Sequence, residues 1–107
     1  MWVPKLGGEE KDVGVATRLV PDERATHYWD GASYTMTAFR SVLGISEDVW
    51  DVYLVYGTHA RWDGQAPPKP DFWMHQLGSR NNQRIEGPWF DAEEFAREAN
   101  RLLSSSR

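Results

Sequence analysis

The stretch that most constrains the fold is VWDVYLVY, residues 49–56, an apolar, β-branched and aromatic run with one carboxylate, Asp51, inside it. A continuous run of this kind is the pattern of a strand covered on both faces. Alternation puts Val49, Asp51, Tyr53 and Val55 on one face and Trp50, Val52, Leu54 and Tyr56 on the other. Asp51 therefore shares a face with apolar side chains and needs donors: an Arg, a Trp N–H, a Tyr O–H or backbone N–H groups. Arg61, on the segment that returns after GTHA (57–60), is the first donor expected.

Around that strand the chain alternates between strand and helix patterns. WVPKL (2–6) reads as an edge strand or a strand start, because Pro4 lacks the N–H that a ladder needs. After the GG turn, EEKDVGVATRLV (9–20) spaces Val13, Ala16, Thr17 and Val20 along one helix face. Glu9, Glu10 and Asp12 fall in its first turn, where the helix dipole favours them. Gly14 weakens this helix by about 1 kcal/mol relative to Ala. ATHYWDG (25–31) is a short strand and turn, and Asp30 or Ser33 caps the next helix, YTMTAFRSVL (34–43). Tyr34, Ala38, Phe39, Val42 and Leu43 share one side of it, and Gly44 suits a left-handed C-cap. QAPPKPD (65–71) is a stiff surface loop, FWMHQLG (72–78) a second strand and SRNNQRIEG (79–87) a polar loop. In the C-terminal helix Asp91 and Glu94 form a capping box, Phe90 and Phe95 a hydrophobic staple. Ala92, Phe95, Ala96, Ala99, Leu102 and Leu103 make its apolar stripe. The fold class is thus α/β, a mixed sheet with helices packed on it in the order β-α-β-α-β-β-α. One domain spans residues 1–107, with 104–107 a frayed tail.

This element order resembles a thioredoxin-like domain. AFRSVLGIS running into VWDVYLVY is similar to that family's passage from a helix into its third core strand. FWMHQLG then fits the fourth strand, FDAEEFAREANRLL the last helix, and WVPKL with EEKDVGVATRLV the second strand and its helix. The family's first strand and helix, which carry a CxxC motif, have no counterpart here. Ser46, Glu47 and Asp48 stand where the family places a proline before the third strand. The resemblance therefore implies the fold without its thiol chemistry. It also implies a gap, since the family's first strand lies between the second and third. A long apolar edge is an aggregation template and should be covered, so the expected partner is a second copy, as a homodimer, or another protein covering that edge.

Composition narrows the function classes. A net charge of -4 without any Lys/Arg cluster argues against nucleic acid and against an acidic membrane surface. With 0 Cys, disulfides, thiolate nucleophiles and Cys-bound zinc are excluded. No apolar run reaches the roughly 18 residues of a membrane span. MWVPKLGGEE is not a signal peptide, so the chain reads as cytoplasmic unless an export signal precedes Met1. No GxSxG, GxGxxG or P-loop occurs, and no cofactor is expected.

Two groups of side chains remain. Asp30, Asp51 and His75 would serve a small hydrolase or isomerase if they met in an aromatic pocket, and His27, Asp30 and His75 are the set to test for a metal. The structural alternative for Asp51 is a paired carboxylate near the strand's start. The second group is aromatic: Trp62, Trp73 and Trp89, with Tyr56, would form a protein- or sugar-binding surface around the Pro-rich loop, since Trp and Tyr are enriched at binding hot spots. The leading expectation is a redox-inactive binding domain that self-associates or takes a protein partner.

Overall fold

A computed structural model describes residues 1–19, 21–64, 66–80 and 84–105. Val20, the first residue of the Pro-rich loop, the middle of the polar loop and the last two residues lie outside the described residues. The element order is α1 (Asp12–Leu19), α2 (Tyr34–Leu43), β1 (Val52–Val55), β2 (Phe72–His75) and α3 (Ala92–Ser105). The fold is mixed α/β, with a two-stranded antiparallel sheet among the described residues. The paired residues are Val52 with His75, Tyr53 with Met74, Leu54 with Trp73 and Val55 with Phe72.

The two N-terminal strand patterns do not become ladders. They meet in one parallel bridge between Trp2 and Trp29, made by Trp2 N–H to Tyr28 C=O (2.7 Å) and Asp30 N–H to Trp2 C=O (2.8 Å). Beyond it, Pro4 has no donor and Leu6 and Gly7 take positive φ (54° and 77°), which turns the chain out of strand geometry. A second single bridge joins His75 to Trp89 on the outer side of β2. ARWDG, which follows the turn, forms no strand, and the return comes only at β2.

The helix boundaries follow their caps. α1 begins at Asp12 rather than Glu9, and the Asp12 carboxylate accepts the Glu9 N–H (2.8 Å). Asp30 rather than Ser33 caps α2: its carboxylate takes the N–H of Tyr34 (3.1 Å) and of Thr35 (2.7 Å) and the Thr35 hydroxyl (2.6 Å). Ser33 stands at the N-cap with φ 61° and makes no side-chain cap bond. Gly44 closes the helix at φ 69°, the left-handed region that a residue without Cβ tolerates. Asp91 Oδ1 accepts the Glu94 N–H (3.0 Å), the N-cap half of the expected box, and α3 continues through Ser104 and Ser105, which fall in the expected frayed tail.

The sheet separates two packing layers. On one face Trp50, Val52 and Trp73 pack with Phe39 and Leu43 of α2 around buried Ile45, Val49, Leu77 and Ile85. On the other, Tyr53 stacks on Phe90 (3.9 Å, 20°) and meets Phe95 of α3 edge-on (6.1 Å, 71°). Met74 on β2 is wholly buried. Tyr34, assigned by periodicity to the packed side of α2, is 76% exposed, and Met36 is buried instead. Leu103, assigned to the stripe of α3, is also exposed. The Pro-rich segment is not a surface loop throughout: Pro67 and Pro70 are buried, and the Tyr56 hydroxyl donates to Pro68 C=O (2.8 Å). None of the helices among the described residues is long and apolar enough to cross a membrane.

Candidate functional site

The proposed acid–base set does not assemble. Asp30 is committed to the first turn of α2, and although burial pushes its carboxyl up, the Thr35, Tyr34 and Ser33 donors outweigh that and hold it below the usual carboxylate range. His75 is buried with both ring nitrogens occupied: Nε2 donates to Gly87 C=O (2.9 Å) and Nδ1 accepts the Leu77 N–H (3.0 Å). An imidazole held this way is a structural crosspiece with no lone pair to offer a substrate or a metal. Asp51 opposes Gln76, one position on from the pair Val52 with His75, so Asp51 and His75 point to opposite faces of the sheet. The candidate metal set fails for the same reason. His27 Nδ1 accepts the Trp2 indole N–H (3.0 Å), and the described residues contain no group of three or more His, Asp or Glu placed to hold a metal ion.

The aromatic set divides likewise. Trp73 is half-buried in the core, its ring so close to Gly87 that a Cβ there would sit 2.4 Å from it. Trp89 is half-buried and meets His75 edge-on (5.7 Å, 79°), and Tyr56 is held by the Pro-rich loop. Trp62 alone of the four is exposed, and it packs edge-on against Phe39 (6.0 Å, 87°). The Arg61 guanidinium reaches only its neighbour's carbonyl, on Ala60 (3.4 Å), and is not the donor for Asp51.

What these residues do form is a slot along the outer edge of β1. Gln76 N–H donates to Asp51 C=O (2.9 Å), so residues 51, 53 and 55 turn their backbone groups toward β2. The backbone N–H and C=O of Val52 and Leu54 therefore point the other way, and among the described residues nothing pairs with them. Of the equivalent outward groups of β2, those of His75 are used: His75 donates to Pro88 C=O (3.0 Å) and accepts from Phe90 (2.9 Å). Beside the open edge lies a cavity of about 330 Å³ lined by Phe39, Val49, Trp50, Val52, Leu54 and Trp62, together with Met1 and Val3. Residues 1–5 run counter to β1. Lys5 reaches Asp48 (3.6 Å) and lies over the Trp50 ring (5.9 Å) at the start of the strand, while Met1 and Val3 stand against the cavity further along.

The charges at the slot's closed end are fixed. The Arg40 guanidinium hydrogen-bonds Asp48 and, against the cost of burial, holds that carboxyl low, with the Lys5 charge adding to the effect. Asp51 itself is half-buried and lies against the Tyr53 hydroxyl, which donates to Gln76 Oε1 (3.1 Å). Burial raises the Tyr53 phenol, and the Asp51 charge raises it further. That Phe39 and Trp62 line the cavity beside β1 was not legible in the sequence, because contacts between residues so far apart leave no periodic trace. No family model, curated protein or solved structure matches this chain.

Proposed function

We propose that the chain is a redox-inactive, thioredoxin-like binding domain that accepts an extended polypeptide segment along β1. The observation that carries this reading is the set of outward-facing backbone groups on Val52 and Leu54, on a strand edge whose residues also line an apolar cavity. A two-stranded sheet is marginal by itself, and a third strand would supply partners for four unpaired groups while covering Trp62, Leu54 and Phe39. Strand addition of this kind takes its affinity from main-chain hydrogen bonds and its selectivity from alternate side-chain pockets. The accepted strand would occupy the position of the first strand in the thioredoxin-like order.

The test is a displayed library of random heptapeptides, followed by amide exchange on the complex. Selected peptides should slow exchange at Val52 and Leu54 above all. Leu54→Pro removes an N–H that the β1–β2 pairing does not use, so it should abolish binding, while Leu54→Ala only weakens it. Selection of no peptide, equal binding by the two variants, or a concentration-dependent dimer that protects these amides without peptide would each overturn the reading.

A further inference from the structure

We infer that the accepted strand carries a lysine or arginine facing Asp51, set between apolar residues that face the cavity walled by Phe39 and Trp62. This rests on strand acceptance at β1 and names the chemistry of the segment accepted. Asp51 lines a second cavity, of about 290 Å³, between the start of β1 and residues 1–5. It is half-buried, and among the described residues no cation comes within ion-pairing distance of it. Lys5 and Met1 line the same cavity: Lys5 is turned to Asp48 and the Trp50 ring, Arg40 to Asp48, and among the described residues the Met1 ammonium makes no ion pair with Asp51. Arg61 reaches only a neighbouring carbonyl.

A half-buried carboxylate with no counter-charge beside it is available to a basic group that approaches it. The Tyr53 hydroxyl lies against it but is neutral and also donates to Gln76 Oε1 (3.1 Å), so it supplies no counter-charge. A strand hydrogen-bonded to β1 would run about 4.8 Å away. A side chain opposite or diagonal to Asp51 on the same face is then within reach of it. That face is the α3 side of the sheet, whereas neighbouring residues of the incoming strand turn to the α2 side, where the wall is Phe39, Val49 and Trp62. The recognised pattern is therefore apolar–basic–apolar. The chain's overall charge of -4 acts in the same direction on encounter.

The experiment selects heptapeptides from the random displayed library on the native chain and, separately, on Asp51→Asn. Peptides selected on the native chain should be enriched in a central Lys or Arg flanked by apolar residues, and this enrichment should vanish on D51N. For one selected peptide, replacing its basic residue by glutamine should weaken binding to the native chain by about tenfold, and to D51N by less than twofold. Equal losses on both proteins, or selected peptides with no basic residue, overturn this inference and leave strand acceptance standing. Selection of no peptide at all overturns both. An unfolding midpoint for D51N within a few degrees of the native chain keeps a folding defect from passing as a binding one.

Discussion

Replacing Asp30 by alanine isolates the contribution of one carboxylate to one helix. In the folded chain it accepts two backbone N–H bonds and the Thr35 hydroxyl at the start of α2. An N-cap contributes roughly 0.5–2 kcal/mol, and hydrogen bonds to a charged acceptor lie above the neutral range. Asp30 is only half-buried, so solvent screening keeps the total to about 1–2 kcal/mol. For 107 residues each kcal/mol is worth about 4–5 °C in Tm, so D30A should melt roughly 5–9 °C lower. Ser33→Ala should move Tm by less than about 2 °C, because the Ser33 side chain makes no cap bond. Ser33→Gly should raise it slightly by relieving the positive φ. The effect also has a pH signature. Folding holds the Asp30 carboxyl below its unfolded value of about 3.9, so its contribution is present above that pH and is lost as pH falls through the folded value. Thermal melts of both proteins at pH 7 and under acid should therefore converge. A D30A melt equal to that of the native chain at pH 7, or a gap unchanged in acid, refutes the assignment.

Other substitutions read the packing. Gly87→Ala places a Cβ 2.4 Å from the Trp73 ring, so it should cost about 1–3 kcal/mol and shift the tryptophan emission, measured by denaturant unfolding followed by fluorescence. His75→Ala leaves the Leu77 N–H and Gly87 C=O unpaired and opens a cavity, for about 3 kcal/mol in the same assay. Folding raises the Tyr53 phenol, so the stability it contributes is complete below the unfolded value of about 10 and is lost as pH rises through the folded one. Tyr53→Phe should flatten the alkaline limb of the stability profile.

Local signals were read well because their causes are local. The N-cap at Asp91, the left-handed Gly44 and the alternation from Val52 to Val55 each depend on residues within a few positions of one another, whereas Val49, assigned to the Asp51 face, packs in the α2 layer. Failures came where a distant partner decided. Tyr34 fits the helical stripe of α2 yet is exposed, because Met36 reaches the core from the other side. Pro67 and Pro70 look like solvent-facing residues in sequence but are buried, in a loop tied down by Tyr56. For Asp51 the sequence posed the right question about its donors and named the wrong one. Arg61 follows a turn that carries it away from β1, and the hydroxyl two residues along the same face, on Tyr53, lies against the carboxylate instead.

The position of His75 has a mechanical consequence. Its backbone N–H and C=O hold Pro88 and Phe90, and its ring holds Gly87 and Leu77, so the segment leading into α3 is fastened to the sheet through one residue. A joint concentrated in this way does not fail by degrees. If β2 yields at His75, these bonds are lost together and Phe90 comes away from Tyr53, so the last helix and its lead-in detach as a unit. α2 packs on the opposite face, and the His75 ring ties in that layer as well, since Leu77 belongs to its core. His75 thus works as a rivet through both layers, with Phe95 against Tyr53 and Phe72 as the second attachment of α3, and the strength of that rivet bears on how often the C-terminal block opens.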